Sequence, residues 1–330
     1  MALDDIFNIT RPGQEGAAGS ISALHIEEYT GVVETTIARK SALTGWLPMR
    51  TVRGTSVLQN FAVGESTLQK LVPGTPPDGT VNKFGKNTVT VDTVVLARSV
   101  FPLLETFQTS YDARKEVGDE HGRKIAKFRD QTIFIQAIRT ALLTAAKHTG
   151  VNGAGHGGAS QSTFAGANDH LDPAKLYAQI VDLVVKMQQK DVDVASDDVM
   201  LAVKPAEFAT LAMNEMLINK EYVTADGTSI DGMVLKTYGL PVVTSNNFPG
   251  GEVISGHLMH NVSNGNTYDG DYSKAVAVAF SPRALLAGET IPLTTGVFWD
   301  DVYKHWMVDA WMSYAIGPNR PEYSGIIQRP

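Results

Sequence analysis

The chain has 330 residues, of which 43% are hydrophobic and only 19% charged, with a formal net charge of -7 and no cysteine. A sizeable core can form, while the acidic balance argues against a dedicated nucleic-acid binder and against attraction to an anionic membrane. The absence of cysteine excludes disulfides, thiolate metal sites, iron–sulfur clusters and cysteine nucleophiles.

Residues 1–20 read as a loosely ordered arm, because Pro12, Gly13, Gly16 and Gly19 break any period. The opening MALDDIFNITRPGQEG has no apolar stretch of signal-peptide length, and no run of about 18 apolar residues predicts a membrane span. Leu24, Tyr29, Val32, Val33 and Ile37 then recur near helical spacing, which predicts a helix over roughly 21–43 with Ser22 as its cap. Two strand-like runs follow, residues 52–61 (VRGTSVLQNF) and 87–97 (NTVTVDTVVLA), the second carrying Val89, Val91 and Val94. In the connection between them Pro73, Gly74, Pro76, Pro77 and Gly79 prevent a helix. An extended hairpin projecting from the body is predicted. A lone two-stranded ribbon is marginal in water, so it should lie on something else.

The longest helical signal spans 112–148, with Asp112 as N-cap and Ile125, Phe128, Ile135, Ile138 and Leu142 near one side. Such a helix would be roughly 55 Å long and act as a spine. A glycine-rich stretch over 150–168 comes next. A second helix opens on Asp172 and Pro173 and buries Leu176, Ile180, Leu183, Val184 and Met187. Short elements then alternate: DDVMLAV as strand, PAEFATLAMNEML as helix, then GLPVVTS, KAVAVAFSP and VYKHWMVDAWMSYAI as strands. The fold class is α+β, with a mixed or antiparallel sheet beside a long helix.

Gly153-x-Gly155-x-x-Gly158 has the spacing of a dinucleotide loop, but that loop must leave a strand and open a helix. Here a helix precedes it and none follows at once, so it reads as a connector between spine and body. Residues 79–87 (GTVNKFGKN) miss a phosphate loop by one residue and lack its hydroxyl. His257-x-x-His260 matches metal-pair spacing without a nameable third ligand, and packing or surface histidines are the plainer reading. Asp191, Asp193, Asp197 and Asp198 lack the glycine of a calcium loop and read as a solvated turn. No catalytic residue, cofactor site or metal site is assigned. The spine helix carries Arg123, Lys124, Lys127 and Arg129 after an acidic first section. Dipole stabilisation explains that segregation, and so does a docking face for an acidic partner.

Several segments carry a likeness. Residues 33–41 (VETTIARKS), 52–64 (VRGTSVLQNFAVG), 238–249 (YGLPVVTSNNFP), 279–289 (AFSPRALLAGE) and 314–327 (YAIGPNRPEYSGII) stand in the order of parts seen in one family. In that order the chain resembles the major capsid proteins of tailed bacteriophages, of the Hong Kong 97-type fold, and most those of short-tailed phages. The resemblance implies an N-terminal arm over 1–50 and an extended loop over 51–97. It implies a peripheral domain over 98–175 around the spine helix 112–148, a mainly axial domain over 176–290, and a C-terminal return over 291–330. It further implies a structural protein, not an enzyme, that self-assembles into hexamers and pentamers of an icosahedral head around double-stranded DNA. An encapsulin-like compartment is the alternative with the same subunit, and a nucleotide-binding enzyme using the glycine loop is the other.

Shell contacts that must fit rings of five and of six favour bendable arms. Val57, Phe61, Leu68 and Leu71 are the apolar anchors expected on the loop, with Lys70, Lys83 and Lys86 beside them. Arg123, Lys124, Lys127 and Arg129 are expected to dock a scaffolding protein, separate because only about 20 residues precede the first predicted helix. A portal protein is a further implied partner, and packaged DNA is contacted weakly. Assembly in the host bacterial cytoplasm and residence in the virion are expected. No covalent cross-link is expected, since no partner or catalytic acid can be placed for the loop lysines.

Overall fold

The computed structural model describes residues 43, 45–74, 76, 79, 81–102, 113–148, 151, 157–213 and 236–330. The helix predicted over 21–43, apart from Leu43, and the Asp112 cap fall outside them. The strands are β1 (Arg50–Thr51), β2 (Val57–Val63), β3 (Phe84–Thr90), β4 (Val95–Pro102) and β5 (Ser160–Thr163). They continue as β6 (Met200–Val203), β7 (Lys236–Thr237), β8 (Leu240–Thr244), β9 (Val253–Ile254) and β10 (Gly270–Asp271). The last are β11 (Ala275–Phe280), β12 (Leu285–Asp300), β13 (His305–Pro318) and β14 (Ser324–Gln328). The helices are α1 (Ala113–Ala141), α2 (Pro173–Gln188) and α3 (Pro205–Ala212).

The chain divides into two compact units. The larger comprises residues 42–93, 129–290 and 314–330, and the smaller 1–41, 94–128 and 291–313. The larger unit holds a six-stranded mixed sheet in the order β5-β14-β11-β6-β8-β7. β11 lies antiparallel to both neighbours, with Val278 opposite Ala202 on β6 and Ile326 on β14. All six residues of β11 (AVAVAF) are buried, which requires cover on both faces. α2 supplies part of that cover. Asp172 accepts backbone N–H bonds from Ala174 (3.0 Å) and Lys175 (3.4 Å), Pro173 occupies the first turn, and the five predicted residues Leu176 to Met187 are all buried. They join Leu201, Val203, Val276 and Ile327 in one core.

The second half of α1 contributes another part of the core. Phe134 meets Phe248 at 5.7 Å and Phe280 at 6.4 Å, both edge to face. This half has no solvent face to speak of. Ile133, Phe134, Ile135, Ala137 and Ile138 are at most 1% exposed, and Asp130, Thr132, Gln136 and Thr140 are buried with them. The single apolar side expected from the sequence was therefore too narrow. Thr140 Oγ1 donates to the Gln136 carbonyl (2.6 Å) and Gln136 Nε2 to the Thr267 carbonyl (2.8 Å), while Gln136 Oε1 has no hydrogen-bond partner.

Several boundaries differ from the prediction: the strand read over 52–61 is β2 (Val57–Val63), and the one read from Val302 begins at His305. α1 stops at Ala141, not at His148, so its 29 residues span roughly 43 Å. The last turn tightens, with Leu143 N–H bonding to the Thr140 carbonyl at 3.1 Å. Gln161 Nε2, on the returning strand β5, then donates to the carbonyls of Ala141 (3.3 Å) and Leu142 (3.1 Å). Leu142, expected on the buried side, is 40% exposed. The run 87–97 is not one strand but the end of β3 and the start of β4, which pair with different partners. The break is at Asp92, whose carboxylate accepts from the side-chain amides of Asn261, Asn264 and Asn266 at 2.8–2.9 Å.

The smaller unit contains β4, the outer parts of β12 and β13, and the first part of α1. β4 pairs antiparallel with β13, placing Arg98 opposite Asp309. Arg98 holds the buried Asp309 carboxylate through two hydrogen bonds, 2.8 and 2.6 Å, and lies 5.6 Å from the Phe298 ring centroid. Ser99 Oγ and His121 Nε2, 2.9 Å apart, tie β4 to α1. Burial holds the His121 imidazole below its ordinary pKa and outweighs the nearby Asp309 charge.

Candidate subunit interface

The projecting hairpin exists and belongs to the larger unit. β2 and β3 pair antiparallel from Val57 opposite Thr90 to Val63 opposite Phe84. β3 begins before the predicted strand, so Phe84, Gly85 and Lys86 lie in the ribbon. Period-two alternation divides its residues cleanly. One face carries Ala62, Gly85, Asn87 and Val89, all buried. Val89 joins Val52, Val91, Leu286 and Ala315 in a small core of its own. Asn60 Nδ2 donates to Asn319 Oδ1, and Asn87 Nδ2 to the Pro318 carbonyl, at 2.8 and 2.7 Å. A Cβ at Gly317 would stand 2.6 Å from Val89, so this glycine lets the ribbon settle. The base of the hairpin thus rests on its own subunit.

The outer part of the other face and the tip are largely exposed. Phe61 is 67% and Phe84 72% exposed, with Lys86 between them on the same face. Beyond the strands every described residue from 65 to 81 is exposed. Leu68 reaches 96%, Val81 91% and Leu71 72%. Of the residues predicted for inter-subunit contact, Phe61, Leu68, Lys70, Leu71, Lys83 and Lys86 are exposed, and Val57 is half-buried at the root. Burying one such large apolar side chain is worth about 1.5–3 kcal/mol. A cluster of them left in water on a ribbon edge is a candidate docking surface.

The basic residues of α1 divide. Arg123, Lys124 and Lys127 are exposed, the first two within 3.8 and 3.9 Å of Glu120. Arg129 is half-buried, its Nε has no hydrogen-bond partner, and it falls in the larger unit. It does not extend the exposed basic row. Arg123, Lys124 and Lys127 are the three of the four predicted cations that are exposed.

The other sequence candidates find local explanations. Gly153 and Gly155 lie outside the described residues. Gly158 approaches the Thr144 backbone so closely that a Cβ would meet it at 2.2 Å. The chain then enters β5, not a helix, and Lys190 Nζ binds the carbonyls of Gly158 and Ala159 at 2.8 and 2.9 Å. Residues 84–87 of the second glycine motif lie in β3, and no helix follows. His257 stacks on Tyr268 at 5.0 Å, and His260 Nδ1 accepts from the backbone N–H groups of Tyr268 and Asp269. Both histidines are packing residues in a loop, and burial lowers the His257 pKa. The acidic turn is not wholly solvated. Asp193 caps it by accepting from Ala195 N–H and Ser196 Oγ, while Asp197 is buried and paired with Arg283. No cluster of three metal-ligating residues occurs among the described residues, and no described helix is long and apolar enough to cross a membrane.

Sequence reasoning missed a second protruding element. β12 was not foreseen as a strand, and the turn 301–304 between it and β13 exposes Val302 (82%) and Tyr303 (75%). The signal was present in DDVYKHW, two acids opening a turn between apolar runs.

With this geometry in view, comparison with known proteins is specific. A family model described as phage capsid protein matches residues 76–328. The capsid structure of cyanophage P-SCSP1u is 18% identical, covering 100% of this chain and 95% of that one, with a TM-score of 0.75. The mature capsid of bacteriophage PhiM1 is 23% identical over 88% of this chain and 87% of that chain, with a TM-score of 0.71. A virus-like particle from Pyrococcus furiosus is 12% identical over 92% and 99%, with a TM-score of 0.52. No curated protein matches. The α+β fold is the Hong Kong 97-type fold that the sequence resembled.

Proposed function

This chain belongs to the phage capsid protein family, and we propose that it builds a phage head by clasping copies of itself into hexamers and pentamers of an icosahedral shell around double-stranded DNA. The observation that supports this reading is the hairpin. Its base is fixed to the subunit by Asn60, Asn87 and Val89, while Phe61, Leu68, Leu71 and Val81 stand in water with nothing of their own to cover. The exposed edge and apolar tip become adhesive when laid across a neighbour. Each contact can be weak because many repeat around the shell.

In this reading residues 1–50 act as the arm, 51–97 as the extended loop, 98–175 and 291–330 as peripheral regions, and 176–290 mainly as the axial domain. Arg123, Lys124 and Lys127 dock an acidic segment of a separate scaffolding protein, and a portal protein takes one vertex. Assembly takes place in the host cytoplasm. The net charge of -7 keeps the grip on packaged DNA weak. The protein acts without chemistry of its own, and its subunits are held without covalent links.

Negative-stain microscopy of the purified chain, with and without its scaffold, tests the reading. Closed shells hundreds of ångströms across are expected. A small soluble oligomer that binds NAD or ATP with micromolar affinity would overturn it. Shells that hold protein cargo and no nucleic acid would favour a compartment over a phage head.

A further inference from the structure

The turn between β12 and β13 is built to hold its shape. Asp300 Oδ1 accepts from the backbone N–H groups of Val302 (2.8 Å) and Tyr303 (3.3 Å). Lys304 closes the turn at φ 55 and pairs with Asp301. The Tyr303 ring stacks on His305 at 5.8 Å. This order has one result: Val302 and Tyr303 are presented outward, 82% and 75% exposed, beside an Asp301 side chain that is 83% exposed. Preorganised apolar knobs of this kind contribute binding energy without an ordering cost. Apart from the Tyr303–His305 stack, side chains this exposed bury little in their own subunit.

The larger unit carries a matching hole. A cavity of about 350 Å³ lies at the foot of the hairpin, floored by Leu285, Leu286 and Ala287 and bordered by Phe61. Its rim holds Arg50, Arg283 and Arg320. Arg283 is paired with Asp197, and Arg320 Nε stands 3.9 Å from Glu322. Arg50 is exposed and makes no ion pair among the described residues. The cavity therefore mixes apolar side chains with Asn60, Asn319 and the arginines, of which Arg50 is the one without an ion pair among the described residues, and the knob is apolar at its end with Asp301, paired to Lys304, at its side.

Resting on the shell reading above, we propose that the Asp301–Val302–Tyr303 turn of one copy inserts into the arginine-rimmed cavity of a second copy. It would be a head-to-tail contact separate from that of the hairpin tip. Tyr303 and Val302 enter against Leu285 and Leu286, and Asp301 faces Arg50. A contact of this kind joins unlike surfaces, so it propagates round a ring rather than closing a two-fold dimer.

The absence of cysteine makes the test direct. Lys304→Cys and Thr51→Cys, both at exposed positions beside the contact residues and not among them, are placed together in the full chain. Assembled particles are treated with a short bis-maleimide and run on a denaturing gel. The expected result is a ladder of covalent oligomers from the double variant and monomer from each single variant. A single variant that dimerises, a link confined within one chain, or particles that form without a ladder would each overturn the proposal. So would cross-linking of Thr51→Cys to Leu68→Cys in its place, which would give the cavity to the hairpin tip. In all these cases intact particles leave the shell reading standing; failure of the unsubstituted chain to form particles would defeat that reading instead. As a second measure, Tyr303→Ala should leave the melting of the unassembled chain unchanged and lose the shell fraction in sedimentation. A full shell fraction would contradict the proposal.

Discussion

Glu322 offers a measurable liability. It sits in the short turn Pro321–Tyr323, 1% exposed, and its Oε1 has no hydrogen-bond partner. Burial pushes its carboxyl from 4.5 up to about 7, against the partial relief given by its own backbone N–H, Arg320 and Lys190. A carboxyl with a raised folded pKa keeps its proton in the native state while the unfolded chain has already released it. The cost is therefore absent below 4.5, grows as pH rises, and is complete above about 7. At about 1.4 kcal/mol per pH unit the full penalty is roughly 3 kcal/mol. Glu322→Gln removes the charge and keeps the shape. Urea unfolding of the unassembled chain, followed by circular dichroism, should show the variant more stable by about 3 kcal/mol at pH 8 and equal to the parent at pH 4. An equal difference at both pH values, or a less stable variant at pH 8, would refute the reasoning.

Two further outcomes follow from the geometry. Leu68→Asp changes a side chain that is 96% exposed, so monomer stability should stay within about 0.5 kcal/mol while sedimentation loses the shell peak; unaltered assembly would remove the hairpin tip from the interface. Gly158→Ala would set a Cβ 2.2 Å from the Thr144 backbone. It should destabilise the larger unit by about 1–3 kcal/mol or more in thermal melts, and a variant of parental stability would mean that the helix-to-strand connector is slack there.

What could be read beforehand was whatever local chemistry alone decides. α2 was legible to the residue because Asp172, Pro173 and five apolar positions all act within one helix. The hairpin was legible because prolines and glycines forbid the alternative. α1 was legible as a helix but not in its end or its faces. Its end depends on Gln161, twenty residues later in the chain, and its buried polar residues are paired by Thr267 and Asn247 from far along the sequence. The division of 87–97 depends on three asparagines beyond residue 260 that converge on Asp92. The cavity was hidden for the same reason, since Arg50, Arg283 and Arg320, far apart in the chain, come together only at the foot of the ribbon.

That foot also explains how a ribbon can both belong to its subunit and reach away from it. Asn60 and Asn87 stand directly opposite each other in the ribbon, and they grip Asn319 and Pro318 at the end of β13. Directional bonds from two facing residues set the line along which the hairpin leaves, which apolar contact alone would leave loose. Beyond Gly64, whose N–H bonds to the Lys83 carbonyl at 2.7 Å, the described residues bury little. A tip that buried itself at home would have no apolar surface left to give. A ribbon unanchored at its root would lose much of the gain in ordering entropy on binding. Fixing the root and freeing the tip lets one sequence meet neighbours at the slightly different angles of five- and six-membered rings, with the adjustment taken up along the ribbon and not in the core.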